Sequence, residues 1–181
     1  MRVIAGAYKG RRLDCPKGDA VRPTTDKVKE AMFGAIQFKI QGAKVLDAFA
    51  GSGALGIEAL SRGAAHVDFV EKNRTCLKSL EQNLSAIGAK NCRVYGSDVM
   101  KLLPSLGLYD IMFLDPPYDD GLYGPVLEAA REGGKLVPGA TVVLECRKKF
   151  DFVLPMGYNL TKSKDYGDIS LWFVTYGDKS D

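Results

Sequence analysis

With 181 residues, 46% hydrophobic and 26% charged, the chain has the size and balance of one globular domain with a full core. The longest weakly charged stretch, residues 45–60, is glycine-rich and broken by Asp47 and Glu58, so it does not span a membrane, and the basic start lacks the apolar run of a secretory signal. Net charge is +3, but residues 1–24 carry six basic against two acidic residues, a local +4 that leaves the other 157 residues near −1. Such an arm suits phosphate binding through counterion release, and equally a solvated surface. Cys15, Cys76, Cys92 and Cys146 are scattered without a CxxC pair, and His66 is the single histidine. Reduced thiols in a cytoplasmic protein, with no metal, are therefore expected.

In chain order, residues 1–13, with Gly6 and Gly10 between two short apolar runs, predict a small hairpin. Pro16 to Pro23 reads as loop. Thr24 or Thr25 caps a helix carrying Val28, Met32, Ala35 and Ile36 at helical spacing. A strand at Val45 to Phe49 leads through a glycine turn into a helix from Ala54 to Arg62, which Gly63 ends. A strand at Val67 to Val70 precedes a helix from Arg74 that carries Leu77, Leu80, Leu84 and Ile87 on one face and stops at Gly88. Cys92 to Tyr95 is the next strand, followed by a short helix at Val99 to Leu103. Tyr109 to Leu114 is an apolar strand running into Asp115-Pro116-Pro117-Tyr118. A helix from Tyr123 to Glu132 and a strand at Thr141 to Glu145 follow. Asn159 to Lys164 and Ile169 to Tyr176 then read as antiparallel strands joined at Tyr166-Gly167-Asp168.

Strands alternating with helices imply an α/β fold with a doubly wound, mostly parallel seven-stranded sheet and an antiparallel C-terminal hairpin. In such sheets ligands bind beyond the carboxyl ends of the strands. Asp47 to Gly53, Glu71, Asp98 and Asp115 to Tyr118 all fall there. The expected division is a basic N-terminal hairpin over residues 1–23 and one catalytic domain over 24–181.

Gly51-Ser52-Gly53-Ala54-Leu55-Gly56 matches GxGxxG with Glu71 twenty residues on, which also fits a dinucleotide fingerprint. Asp47, four residues before the first glycine, would repel a pyrophosphate, whereas it suits a ligand bearing an ammonium and a sulfonium. S-adenosyl-L-methionine fits each acid. Asp47, Ala48, Phe49, Gly51, Ser52 and Gly53 would pass beneath its methionine and ribose. Glu71, beside Lys72, would accept from the ribose hydroxyls, and Asp98 from the adenine amine with Val99 packed nearby.

The sharpest signal is Asp115-Pro116-Pro117-Tyr118. An exocyclic base amine is a poor nucleophile because its lone pair is delocalised into the ring. The Asp115 carboxylate and the Pro116 carbonyl can accept its two N–H bonds and turn the lone pair toward a methyl donor. Pro116 and Pro117 fix the backbone and offer no N–H. Tyr118 offers an aromatic face to an unstacked base. A rigid turn after a buried strand is the plainer alternative.

Arg2-Val3-Ile4-Ala5-Gly6 with Gly10-Arg11, residues Arg22 to Val28, Asp47 to Gly53, Asp115 to Tyr118 and the closing Tyr166-Gly167-Asp168 together resemble the bacterial RsmD family. The resemblance covers nearly the whole chain. It implies a Rossmann-like class I methyltransferase that methylates the N2 amine of a guanine in 16S ribosomal RNA. It further implies that the glycine loop, Glu71 and Asp98 bind the cofactor and that residues 115–118 hold the guanine. The substrate would be 16S rRNA or the assembled small subunit, with no obligate protein partner. The central loop and tetrapeptide are shared with many amino-methyltransferases, so a DNA adenine-N6 or cytosine-N4 enzyme is the runner-up. Arg2, Tyr8, Lys9, Arg11, Arg12 and Arg22 are the expected RNA contacts, and Arg147 to Lys149 could extend that surface.

Overall fold

A computed structural model describes residues 1–16, 25–117 and 120–177. Helix α1 spans Asp26–Ala35 because Thr25, in extended backbone, accepts from Val28 N at 3.3 Å and Asp26 favours the positive helix start. Ile36, expected inside this helix, leaves helical geometry (φ −115°, ψ 13°), and a separate turn, α2, follows at Gln37–Ile40. Strand β1 (Lys44–Asp47) ends two residues before the expected Phe49, where the chain turns into the glycine loop. Helix α3 is Ala54–Ser61 and β2 is His66–Val70. Helix α4 runs Arg74–Ile87 between two clean signals. The Asn73 side chain accepts from Thr75 N and Cys76 N, and Gly88 closes the helix in left-handed geometry at φ 65°.

β3 (Cys92–Tyr95), α5 (Val99–Leu102), a single 3-10 turn, β4 (Tyr109–Leu114) and α6 (Tyr123–Glu132) follow as expected. β5 is longer than the expected Thr141–Glu145: it spans Leu136–Arg147. Pro138-Gly139 reads as a turn. The sheet instead absorbs it as an irregularity, with Tyr109 pairing Leu136 before the register shifts toward Ile111 opposite Thr141. β6 (Tyr158–Tyr166) and β7 (Ile169–Tyr176) form the terminal hairpin.

These strands make one seven-stranded sheet in the order β3-β2-β1-β4-β5-β7-β6. The first five are parallel, and β7 inserts antiparallel between β5 and β6. Side chains alternate between two cores. Val45, Ile111, Phe113 and Val143 pack with α1, α3 and α4, while Leu46, Met112, Leu114 and Leu144 pack with α5 and α6. Among the described residues no helix is long and apolar enough to cross a membrane.

The N-terminal residues form the expected small hairpin in minimal form. A single antiparallel bridge joins Arg2 and Arg12, with Val3 N donating to Arg11 O and Leu13 N to Met1 O. The tip also hydrogen-bonds to another element: Ala7 N and Tyr8 N donate to the carbonyl and hydroxyl of Ser61 at the end of α3. Gly6 (φ 84°) sits so close that an added Cβ would overlap the Ser61 carbonyl. Val3 and Leu13 are buried in the same core as α1 and α3. Beneath them lies Glu58, fully buried, accepting from Ile4 N (2.8 Å), Ala5 N (3.0 Å) and Arg62 Nε (2.8 Å), with Lys29 Nζ at 3.3 Å. Lys29 is also fully buried, and desolvation lowers its pKa against the opposing pull of Glu58. The boundary expected between residues 23 and 24 lies outside the described residues.

Candidate active site

The carboxyl ends of β1, β2, β4 and β5 build one edge. Asp47 closes β1, with its side chain nearly buried and Oδ2 accepting from Gly56 N at 2.9 Å in the first turn of α3. Burial pushes its pKa up to about 7, against the Gly56 hydrogen bond and assisted by the nearby charge of Glu71. The chain can approach this closely because Gly56 has no side chain. A Cβ there would meet the Phe69 ring at 2.2 Å.

Between β1 and α3 the loop Ala48 to Gly53 is braced from both sides. Ala48 N donates to Phe113 O, and Ala50 N to Val70 O. Gly51 (φ 56°) and Gly53 (φ 92°) occupy left-handed backbone that other residues rarely adopt. Glu71, just past β2, grips the loop: Oε2 accepts from Gly51 N and Oε1 from Asn73 N, both at 2.7 Å. Gly53 N donates to Ala50 O. The Ser52 carbonyl accepts from Asn83 Nδ2 of α4 (2.9 Å), and the same amide joins Asp14 by two further hydrogen bonds. Phe49 is half-buried.

This wiring decides between two ligand chemistries. A pyrophosphate needs free loop N–H groups and an open helix start. Here Gly51 N is taken by Glu71, Gly53 N by Ala50, and Gly56 N by the Asp47 carboxylate. Two acids, Asp47 and Glu71, brace this loop, where a dinucleotide would bring its negative charge. A donor-rich or cationic ligand fits: each Glu71 oxygen retains a lone pair for a hydroxyl, and an added methyl at Gly51 would meet nothing within 4 Å. S-adenosylmethionine has those groups, and the residues present fit it.

Asp98 stands at the start of α5, where Oδ1 caps Met100 N at 2.9 Å and Oδ2 lies 3.5 Å from Lys72 Nζ. Val99 is buried beside it. The structure therefore brings Lys72 and Asp98 together, with one Asp98 oxygen already committed to the helix.

Asp115 follows β4 directly, half-buried, with Pro116 buried and Pro117 exposed. Its pKa is raised well above the ordinary carboxyl range, first by burial and then by the charges of Glu145 and Asp47. Tyr118, the fourth residue of the tetrapeptide, lies outside the described residues. Glu145 of β5 was missing from the sequence-derived site. It is buried, its backbone carbonyl accepts from Tyr123 Oη at 2.6 Å, and it stands one register step beyond the Leu114–Leu144 pair.

Five of the expected RNA contacts lie among the described residues. Lys9, Arg11 and Arg12 are exposed and Tyr8 half-buried, on the loop that docks at Ser61. α3 starts at the glycine loop and ends at Ser61, so eight residues separate that tip from the site, roughly 12 Å at the helical rise. Arg2 is held by Asp26 at 2.9 Å. Arg22 lies outside the described residues. Past the end of β5, Lys148 pairs with Asp165 at 3.6 Å.

The topology and the braced loop define a class: the Rossmann-like methyltransferase fold. An RNA methyltransferase of Salinibacter ruber, solved with S-adenosyl-L-homocysteine, shares it at TM-score 0.65 over 88% of this chain and 97% of that one, with 18% identity. The chain belongs to the RsmD family, since the family described as Conserved hypothetical protein 95 matches residues 1–175. Ribosomal RNA small subunit methyltransferase D of Escherichia coli is 36% identical over 172 residues, covering 94% of this chain and 87% of that relative. The solved structure of yhhF from Escherichia coli superposes with TM-score 0.89 at 35% identity, covering 99% of both chains.

Proposed function

We propose that this chain transfers a methyl group from S-adenosylmethionine to the exocyclic N2 amine of a guanine in 16S ribosomal RNA, in the cytoplasm, as naked RNA or within the small subunit. The observation that carries the reading is Asp115-Pro116 at the end of β4, beside a loop whose Gly51 and Gly53 N–H groups are already engaged by protein acceptors. The relatives named for small-subunit ribosomal RNA supply the substrate class. The exposed Lys9, Arg11 and Arg12 suit outlying phosphates of a large RNA, because they stand an α3 length from the reacting edge.

S-adenosylmethionine supplies an electrophilic methyl group on sulfur. The protein supplies alignment. The Asp115 carboxylate and the Pro116 carbonyl accept the two amine N–H bonds and present the nitrogen lone pair to the methyl carbon. Such positioning accounts for most of the acceleration in a direct displacement. Glu71 fixes the ribose, Asp98 the adenine amine, and Asp47 the cationic end of the donor.

Incubation with labelled cofactor and unmodified small-subunit particles, followed by digestion to nucleosides, tests the assignment. Label is expected in N2-methylguanosine; label in N6-methyladenosine instead would refute it. Glu71→Gln is expected to weaken S-adenosylhomocysteine binding about tenfold by calorimetry, the scale of one hydrogen bond to a charged group. Unchanged affinity would remove Glu71 from the cofactor site.

A further inference from the structure

Among the described residues, every residue with a positive φ is a glycine except Lys149, at φ 65°. A lysine there is strained, because its Cβ crowds the backbone where glycine has only a hydrogen. Lys149 occupies the third position of a tight turn past the end of β5, closed by Phe150 N donating to Arg147 O at 3.1 Å. With positive φ, that position of a β-turn favours glycine. The turn is held on both sides. Lys148 N donates to Asp168 O at 2.8 Å, in the loop joining β6 and β7. The Phe150 ring packs against Tyr123 at the start of α6 and against Phe152, with centroids 4.9 and 5.5 Å away. Surroundings that over-determine the turn let the strain persist.

The place of the turn gives that strain a use. The last β4–β5 pair is Leu114–Leu144, after which β4 gives way to Asp115 while β5 runs on for three residues to Arg147. At the rise of a strand, the turn stands about 10 Å further along than that pair. In sheet order β4 lies between β1 and β5. The turn therefore flanks the reacting edge on one side, while β1 and α3, whose far end docks the N-terminal hairpin, flank it on the other. Lys149 is exposed, and its ammonium joins no ion pair among the described residues, whereas Lys148 beside it is paired with Asp165 at 3.6 Å.

We propose that Lys149 is a phosphate contact for the RNA substrate, holding a nucleotide near the target on the side opposite the N-terminal hairpin. This inference rests on the ribosomal RNA reading above and adds a second, separate point of grip to it. Phosphate contacts fix the register of a strand, and those flanking a flipped base keep it at the reacting edge. A lysine that neutralises one phosphate releases counterions, so its signature is salt dependence rather than sequence preference. Glycine would fit the turn better and hold nothing.

Lys149→Gly separates the two roles of this position. It relieves the backbone, so thermal unfolding should give a Tm no lower than wild type and up to about 2–4 °C higher. Binding to unmodified 16S ribosomal RNA, followed across salt concentrations, should weaken about fivefold near physiological salt, with the slope of log K against log salt shallower by about 0.7–0.9. Lys149→Arg, which keeps the charge, should retain wild-type affinity and slope. A merely solvated lysine predicts wild-type affinity and slope for Lys149→Gly, and that result overturns the proposal. An equal loss in Lys149→Arg overturns it too, as does a Tm for Lys149→Gly below wild type, which would make the lysine a support of the fold. Wild type that binds S-adenosylhomocysteine by calorimetry but not 16S RNA would overturn the substrate reading, and this proposal with it. Wild type that binds both, with Lys149→Gly unchanged, would overturn this proposal alone.

Discussion

Asp115→Ala is expected to lower methyl transfer by about 10²- to 10⁴-fold, the range for a positioned acid–base group, while S-adenosylhomocysteine still binds within a few-fold of wild type. The separation follows from where the groups sit. The cofactor loop is braced by Phe113, Val70, Glu71 and Asn83, none of which needs the Asp115 side chain. Removing that carboxyl leaves the Pro116 carbonyl as the single acceptor for the amine. Steady-state rates on the RNA substrate, alongside calorimetry with S-adenosylhomocysteine, give both numbers. A variant that lost cofactor binding and turnover together would place Asp115 in the cofactor site and dismantle the division of labour proposed above.

The second large effect concerns stability. Glu58→Ala is expected to cost roughly 3–5 kcal/mol, because it strands the fully buried Lys29 ammonium without its counter-charge. It also leaves the Ile4 and Ala5 N–H groups without their acceptor. Against a typical domain stability of about 5–15 kcal/mol this is a severe loss. Urea unfolding should show the midpoint falling with little change in slope. Combining it with Lys29→Met should recover part of the loss, since the double variant leaves no lone charge in the core. If the midpoint of the single variant stayed where it is, Glu58 would not be the hub that docks the N-terminal residues.

How much of this could be read beforehand depended on whether the signal was local. α4 was legible at both ends because Asn73 and Gly88 act on their own backbone. β4 and α6 were legible because apolar period and length change sharply at their ends. β5 was cut short because Pro138-Gly139 carries turn chemistry, and only the neighbouring strand shows it to be an irregularity within a ladder. The hairpin at the start was legible from its glycines, but where its tip docks was not. The glycines signal the turn, whereas the further hydrogen bonds of the tip go to Ser61, far away in sequence. Lys29 and Glu58 look like solvent charges on two helices, and nothing short of their packing reveals an ion pair. Within the site, Asp47, Glu71, Asp98 and Asp115 were legible from their places after successive strands. Glu145 was not: a single acid near the end of an apolar strand carries no motif, and its influence on Asp115 arises only once β4 and β5 lie side by side.

The two outer strands of the sheet have a further consequence. β3, at one border, is only four residues long and carries exposed Arg93, which lies over the Tyr95 ring. β6, at the other, carries exposed Lys162 and Lys164 and a register shift between Leu160 and Lys162. Shortness, positive charge and a local irregularity are the usual deterrents to strand addition between molecules. Neither border offers a long, flat, uncharged row of backbone groups on which a second copy could template. A protein with a basic arm and a half-apolar composition is thereby guarded against edge-to-edge aggregation by basic residues that lie apart from those expected to contact RNA.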